Sequence, residues 1–275
     1  MHSVSQLVSR GGLLIALLAL VPHASRADVI TEWNLKASEV VQAHQPGPPG
    51  SATLVLVQTA VYDAVNAITR QYPKAVVPTL KPAPGASVEA AVAAVNHVLL
   101  LKLAPTQQAA IEAAYQVALA AIPDAKARAD GIALGEQAAA DLVARRSGKP
   151  AEMAYYRPVT RPGMYVPTVV PIGGDAVPVT QCWVLDRVDQ FRPGPPPALD
   201  SAVWARDYNE IKALGARTGS RRTPEQTEIA RFWTTTGPAV YFPLARSVTG
   251  QPGREVTRNA RFMPSLGTIT AAAGA

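Results

Sequence analysis

The sequence is poor in the side chains that most often carry chemistry, with one cysteine and four histidines in 275 residues. A lone cysteine, Cys182, excludes an intramolecular disulfide, so the stability of the fold must come from packing. A catalytic thiol would need a histidine partner, and only His44 and His97 lie beyond the first 27 residues. We therefore expect Cys182 to be a small buried side chain.

Long apolar runs are also scarce. The sequence has one short apolar run near its N-terminus, and no other run is long enough to cross a bilayer. Arg10 precedes the run at residues 11–21, and the small side chains of Ser25 and Ala27 follow it. This order is typical of a secretory signal peptide cleaved after Ala27. We expect residues 1–27 to be removed and the mature chain to be periplasmic or secreted, without a membrane span. The alternative is an uncleaved membrane anchor.

Concentrated charge of one sign is absent as well. The formal net charge of +6 is spread along the chain rather than collected in a basic block, which argues against nucleic acid as a partner. The sequence contains no HExxH, Walker A, GxSxG or EF-hand pattern, so zinc hydrolysis, nucleotide binding and serine-hydrolase chemistry are not indicated. The charge is compatible with an anionic ligand.

What the sequence does have is helical periodicity, strongest in an N-terminal part over residues 28–149. Apolar residues recur every three or four positions from Leu54 to Ile68, and again between Val88 and Leu99, as expected for helices with one apolar face. The many alanines suit close packing between helices. We predict helices over residues 28–44, 51–72, 87–103, 106–122 and 124–146, with Thr106 and Asp124 as N-caps of the last two.

A proline-rich connection follows over residues 150–199, where ten prolines interrupt the helical pattern and only residues 165–172 suggest a strand. Helices resume in the part from 200 to 275. One follows Asp200 and ends at Gly215, another is capped by the sequence Thr223-Pro224-Glu225-Gln226, and a last one begins near Arg254. The tail after residue 264 has no apparent apolar face or cap. The predicted fold class is all-α, a helical bundle with a long proline-rich irregular connection.

Several segments resemble one known family. They are the pair Trp33-Asn34, the helix LVLVQTAVYDAVNAI followed by Tyr72-Pro73, and the run DQFRPGPPPALDSAVWARDYNEIKALGARTGSRRTPEQTEIARFW. Together they cover most of residues 29–235 and resemble the N-terminal portion of bacterial vanadium-dependent haloperoxidase-like proteins, in the type 2 phosphatidic-acid-phosphatase superfamily. The resemblance implies a helical bundle that holds vanadate, or phosphate in related phosphatases, among cationic side chains. It also implies small-molecule substrates: peroxide and halide, or a phosphoester.

Three family motifs build that anion pocket: a lysine followed after six residues by Arg-Pro, a Pro-Ser-Gly-His, and a Ser-Arg followed after five residues by histidine. Lys149 precedes Arg157-Pro158 by seven intervening residues instead of six, and in a different part of the sequence. No histidine occurs after His97. We therefore assign no catalytic, cofactor-binding or metal-binding residue, and we expect the chain to bind no vanadate and to be inactive alone.

Two further partial matches also lack histidine. The segment 264–267 reads Pro-Ser-Leu-Gly, and Ser220-Arg221 is followed by no histidine. His97, within the apolar run VNHVLLLKL, is predicted to be a packed or hydrogen-bonded side chain, and His44 to be exposed.

The remaining charged candidates also favour structural roles. Asp63, Glu210 and Glu228 are predicted to face solvent or brace helices rather than form a catalytic pair. A cluster of Arg217, Arg221 and Arg222 is either an anion patch or, more simply, a solvated turn between two helices.

Three interpretations stay open. The first is a haloperoxidase-like enzyme whose sequence here is a fragment or frameshift product, since the resemblance fades after Phe262. The second is an acid phosphatase of the same superfamily. The third is a non-catalytic exported helical binding protein or the N-terminal subunit of a split enzyme. If helices are missing, Val95, Leu99 and Phe232 should be uncovered and the chain should self-associate.

Overall fold

The structure is a computed structural model that describes residues 28–44, 48–73, 80–146, 161–166, 183, 185–187, 190–191, 193–234 and 238–273. These ranges contain helices and no strand, so the predicted all-α bundle is confirmed. The α-helices are α1 (Val29–His44), α2 (Pro48–Thr69), α3 (Val88–Leu103), α4 (Gln108–Ala120), α5 (Ala125–Arg146), α6 (Ala202–Leu214), α7 (Pro224–Phe232), α8 (Pro238–Thr249) and α9 (Val256–Ala273), with a 3-10 turn at Pro105–Gln107 before α4.

Helix α3 is the centre of the bundle. It contacts α1, α2, α4 and α5, and every residue from Ala90 to Asn96 is buried. A helix buried on all sides is expected when its sequence is almost wholly apolar. The predicted face of α2 also lies in the core, where Leu54, Val57 and Val65 are fully buried. The hydrophobic effect therefore accounts for the position of both helices.

Two glycines allow α5 to approach α3 closely. A Cβ atom on Gly131 would lie 2.5 Å from the carbonyl oxygen of Ser87, and one on Gly135 would lie 2.4 Å from that of Ala91. Neither position has room for a side chain. Together with the alanines on α3, these glycines allow the backbones of the two helices to pack directly against each other.

Three of the predicted C-terminal ends, at His44, Leu103 and Arg146, are correct, and those of the other two helices are wrong. The side chains of Ser87 and Asp124 cap α3 and α5 as their positions indicate. Thr106 does not cap α4, because it lies in the 3-10 turn and its Oγ1 is 2.7 Å from Nδ1 of His44. Helix α2 begins and ends three residues earlier than predicted, and Arg70 follows it with a φ of 56°.

The C-terminal part differs most from the sequence prediction. A last helix was predicted to begin near Arg254, and α9 begins at Val256. Its Ala260 and Met263 are fully buried, and the carboxylate of Glu255 accepts the backbone N–H groups of Thr257 and Arg258 at 2.7 and 2.8 Å.

The tail after residue 264 was expected to lack an apolar face, and this is wrong. The helix continues through it, Leu266 packs against the core and Gly267 is buried. Helix α9 packs along α2, with Gly267 against Val55. Helix α8 was not predicted at all.

Helices α6 and α7 contrast with the bundle, because neither contains a buried residue. Phe232 is exposed, as expected from the sequence. The expectation that Val95 and Leu99 are uncovered is wrong, since both are fully buried on the central helix α3. The bundle core is thus closed by α9, and the uncovered apolar side chains lie elsewhere.

Several predictions fall outside the described residues. They concern the signal peptide at 1–27, Cys182, Lys149 and Arg157-Pro158. In the connection 150–199, the residues that the structure does describe form turns and extended segments without a helix or strand. Within the described ranges one helical segment, Gly50–Thr69 of α2, is long and apolar enough to cross a membrane, but 72% of its most apolar window is buried inside the bundle, as in an ordinary core helix.

Candidate functional site

His97 lies where α3 meets α4. Its Nε2 is 3.1 Å from Oε2 of Glu112, and its ring stacks on Tyr115 with a centroid separation of 4.0 Å. Burial raises the pKa of Tyr115, and the nearby charges of Glu136 and Glu112 raise it further. The predicted packed histidine is confirmed. A carboxylate beside the imidazole would repel an oxyanion, so this corner does not suit vanadate or phosphate.

His44 is the last residue of α1 and is partly buried rather than exposed. Its hydrogen bond with Thr106 ties the end of α1 to the turn before α4. Both histidines among the described residues therefore hold helices together, and each belongs to a different junction.

The acidic candidates also have structural surroundings. Asp63 on α2 is fully buried, and its Oδ2 lies 3.9 Å from Nη2 of Arg145 on α5. It braces these two helices, which is one of the roles predicted for it. Glu228 pairs with Arg231 at 2.6 Å on the surface of α7, and Glu210 is exposed on α6. Exposed pairs of this kind add little stability.

The arginine cluster between α6 and α7 forms a braced turn. Nη1 of Arg222 donates to the carbonyl oxygens of Leu214 and Ala216, the second at 2.8 Å. Arg217 and Arg221 are exposed. Because Arg222 satisfies the carbonyl groups at the end of α6, the turn interpretation is favoured over an anion patch.

The partial family motifs do not form a pocket either. The segment 264–267 is inside α9, where the hydroxyl of Ser265 donates to the carbonyl oxygen of Arg261 at 2.9 Å. Ser220-Arg221 lies in the turn between α6 and α7. These two segments are helix and turn residues without a histidine beside them in the sequence.

A buried polar cluster that the sequence analysis missed joins α1 to α8 and α9. Nη1 of Arg246 donates to Oδ1 of Asn34 at 2.9 Å and to the hydroxyl of Ser38 at 3.4 Å. Burial lowers the pKa of Arg246, and the charge of Glu39 partly opposes this. The sequence signal was limited to the pair Trp33-Asn34, because Asn34 and Arg246 are 212 positions apart.

Asn259 holds the other end of this cluster. Its Nδ2 donates to Oδ2 of Asp28 and to the carbonyl oxygen of Thr249 at 3.0 Å, and its Oδ1 accepts from Nε of Arg254 at 2.8 Å. The hydroxyls of Thr31 and Thr249 are 2.8 Å apart. These groups bind one another, so the cluster is a structural joint between the two ends of the described chain.

The glutamate that caps α9 lies beside this joint. Burial raises the pKa of Glu255, but the hydrogen bonds from the backbone and hydroxyl of Thr257 and from the backbone of Arg258 outweigh it, so that the pKa is lowered overall. The same Thr257 hydroxyl lies 2.9 Å from Oγ1 of Thr69, which places the start of α9 against the end of α2.

The part of the chain that the structure describes contains no candidate metal centre. Within it, no three His, Cys, Asp or Glu side chains are grouped to hold a metal ion. A cavity of about 270 Å³ between the segment before α3 and helix α5 is lined by Lys81, Asp130, Leu134 and Gln137 among others. It combines one cation with one carboxylate and contains no histidine.

The fold is similar to that of a helical vanadium-dependent peroxidase among the solved structures. The structure of a bacterial vanadium-dependent iodoperoxidase is similar to this chain with a TM-score of 0.69 at 19% sequence identity. The similarity covers 90% of this chain and 67% of the iodoperoxidase. No family model and no curated protein matches the chain. The likeness confirms the fold that the resemblance implied.

The described residues do not fit vanadate. Such an anion needs several Arg or Lys donors and backbone N–H groups around one histidine. His44 is engaged by Thr106, and His97 faces the carboxylate of Glu112. Arg246, which is partly buried, is held by Asn34 and Ser38. We therefore derive no catalytic step through a vanadate bound by these residues.

Proposed function

We propose that this chain is the exported helical scaffold of a vanadium-dependent haloperoxidase-like enzyme. In this proposal the residues that bind vanadate are supplied by polypeptide outside the 275 residues, and the chain is inactive alone. The observation that carries the proposal is the match to the iodoperoxidase, which extends over 90% of this chain but leaves about a third of that enzyme unmatched.

The chemistry of the described side chains supports the second part of the proposal. Peroxide-dependent halide oxidation by this class of enzyme needs an oxyanion held by cationic donors, with a histidine at the central atom. Among the described residues, His44, His97 and the buried Asp63 serve as joints between helices. An acid phosphatase would need a similar pocket of cationic donors around a histidine. The described residues do not provide that pocket for a phosphatase either.

A non-catalytic helical binding protein is the competing function. The observation that favours it is the engagement of both described histidines by other side chains. The two functions differ in what the coding DNA should contain after the codon for Ala275. A scaffold requires a reading frame that encodes the Lys, Arg and His motifs, whereas a binding protein does not.

The test compares two proteins: residues 28–275, and the same chain extended through the downstream frame. Vanadate binding would be measured by 51V NMR line broadening and calorimetry. Turnover would be measured with hydrogen peroxide plus iodide or bromide, and with an aryl phosphate. We expect no vanadate binding and no turnover from residues 28–275, and vanadate-dependent halide oxidation from the extended protein.

Each other outcome has a defined meaning. Halide oxidation by residues 28–275 alone would show that the chain carries its own site. Phosphate release without halide oxidation by the extended protein would favour the phosphatase. If no downstream frame encodes the three motifs, the enzyme proposal is wrong. The matched control is the extended protein with the histidine of its Pro-Ser-Gly-His motif replaced by alanine, which should lose vanadate binding.

A further inference from the structure

The cavity of about 270 Å³ beside α5 has a preformed wall, which is the segment 81–86 before α3. The N–H of Ala83 donates to the carbonyl oxygen of Ala67 on α2 at 3.1 Å. The N–H of Ser87, directly after the segment, donates to the carbonyl oxygen of Ala127 on α5 at 2.8 Å. Two prolines in the segment restrict its backbone further, because each ring fixes φ. A ligand in this cavity would therefore not have to order the wall that it contacts.

The opposite wall is one side of α5. The residues of α5 that line the cavity are Asp130, Ala133, Leu134 and Gln137. Their spacings of three and four place them along one side of the helix. Leu134 and Ala86 are buried and contribute apolar surface to the cavity. Because Asp130 and Gln137 are seven positions apart, the rise of the helix separates them by about 10 Å. The helical wall thus has an apolar middle between two polar side chains.

The lining of the cavity includes one side chain of each charge. Lys81 supplies an ammonium group on the segment wall, and Asp130 supplies a carboxylate on the helical wall. Lys126 donates to Oδ2 of Asp130 at 2.5 Å, but the side chain of Lys126 is 84% exposed, and an exposed pair contributes little stability. A carboxylate accepts several hydrogen bonds, so Asp130 can bind a second ammonium group. This lining favours a ligand with both charges over a simple anion or cation.

The dimensions of the cavity indicate the size of the ligand. An engineered cavity of about 150 Å³ in another protein holds benzene, so this cavity suits a molecule of roughly twice that size. An extended peptide rises by at most about 3.6 Å per residue, which makes a dipeptide about 7 Å long. With one hydrogen bond of about 3 Å at an end, a dipeptide spans the distance between Asp130 and Gln137. The side-chain amide of Gln137 can donate to the carboxylate of such a peptide.

We propose that this cavity binds a short zwitterionic peptide with an apolar side chain, of the size of a dipeptide. Asp130 binds the N-terminal ammonium group of the peptide, and Lys81 and Gln137 bind its C-terminal carboxylate. The apolar side chain of the peptide packs on Leu134. This inference is independent of the proposed enzymatic function, because the cavity includes none of the histidines or the arginine considered for vanadate.

The test is calorimetric titration of the purified protein with L-alanyl-L-leucine up to about 10 mM. We expect saturable binding of one dipeptide per chain. Asp130→Asn and Lys81→Gln should each weaken binding at least 10-fold, since each removes a charge-assisted hydrogen bond. The matched control is Lys126→Gln, which removes a charge next to Asp130 but outside the lining of the cavity. It should not weaken binding.

Modified peptides test which end of the ligand contacts which side chain. N-acetyl-L-alanyl-L-leucine lacks the ammonium group and should bind to the wild-type protein at least 10-fold more weakly than the free dipeptide. Asp130→Asn should weaken binding of this acetylated peptide no further, because the interaction that the substitution removes is already absent. Glycylglycine lacks the apolar side chain and should also bind more weakly than L-alanyl-L-leucine.

Four results would overturn the proposal. They are a lack of saturable binding to the wild-type protein, undiminished binding by either folded variant, an equal loss in the Lys126→Gln control, and equal binding of the acetylated and free dipeptides. Circular dichroism checks that each variant is folded. Lys81 and Asp130 are exposed, so we expect both variants to fold, and if one loses helicity the other decides the outcome.

Discussion

Asn259 makes the largest number of distinct connections in the α1–α8–α9 polar cluster. It contacts the carboxylate of Asp28 just before α1, the carbonyl oxygen of Thr249 at the end of α8 and the guanidinium of Arg254 just before its own helix, and it is fully buried. Buried polar groups that lose a partner retain their full desolvation cost. The contribution of this one side chain therefore exceeds that of an average hydrogen bond.

We expect Asn259→Ala to lower the free energy of unfolding by about 2–3 kcal/mol, because the carbonyl of Thr249 and the carboxylate of Asp28 would lose a donor. The measurement is urea denaturation of residues 28–275. Ser265→Ala on the same helix is the control. Its hydroxyl is exposed and bonds only within α9, so we expect a change within about 0.5 kcal/mol. Equal effects would show that the cluster does not stabilise the joint.

At the scale of the helices, the contact between α3 and α5 depends on the absence of a side chain at Gly135. Gly→Ala in a helix is normally favourable by about 1 kcal/mol. Here the added Cβ would lie 2.4 Å from the carbonyl oxygen of Ala91 and 2.8 Å from Cβ of Ala94. Overpacking against backbone costs up to about 3 kcal/mol. This cost exceeds the gain in helix propensity from replacing glycine by alanine.

Gly135→Ala should therefore lower thermal and urea stability by about 1–2 kcal/mol. Gly194→Ala is the matched control, because a Cβ there has no neighbour within 4 Å and its φ is not in the left-handed region. That control should be neutral or slightly stabilising, since alanine restricts the unfolded chain. A stabilised Gly135→Ala protein would contradict the close helix contact.

Helices are most predictable from sequence where one carries a repeated apolar face or a local cap. Helix α3 was predicted from the apolar residues between Val88 and Leu99, and α5 from Asp124 as its N-cap. Helix α8 was missed, because Pro243 stands inside it and interrupts the pattern. The end of α9 was misjudged, because the buried residue there is Gly267, and glycine gives no hydrophobic signal.

The candidate site also contains residues whose role the sequence predicts and residues whose role it does not. The packed state of His97 was predictable from the apolar residues beside it. The joint between Asn34 and Arg246 was not, because no local spacing specifies that residues 212 positions apart will meet. The lack of a histidine after His97 is a property of the sequence itself and needs no structure to be seen.

At the scale of the whole molecule, stability should be distributed unevenly. Amide exchange reports local opening, which is costly in a buried core and cheap in helices without buried side chains. We expect amides of α6 and α7 to exchange at least 100-fold faster than those of α3. Hydrogen exchange with mass spectrometry would measure this. Equal protection in α3 and α6 would show that α6 is held by contacts within one chain.

The polar joint between α1 and α9 also sets the order in which the molecule can assemble. It connects Asp28 to Asn259, which lie 231 positions apart. Closing so long a loop is slow, and topologies with distant contacts fold later than local ones. During synthesis the early helices emerge long before α9, so the last contact waits for nearly the whole chain. Translation that ends before α9 would release a bundle in which the side of α2 that α9 covers stays exposed to water.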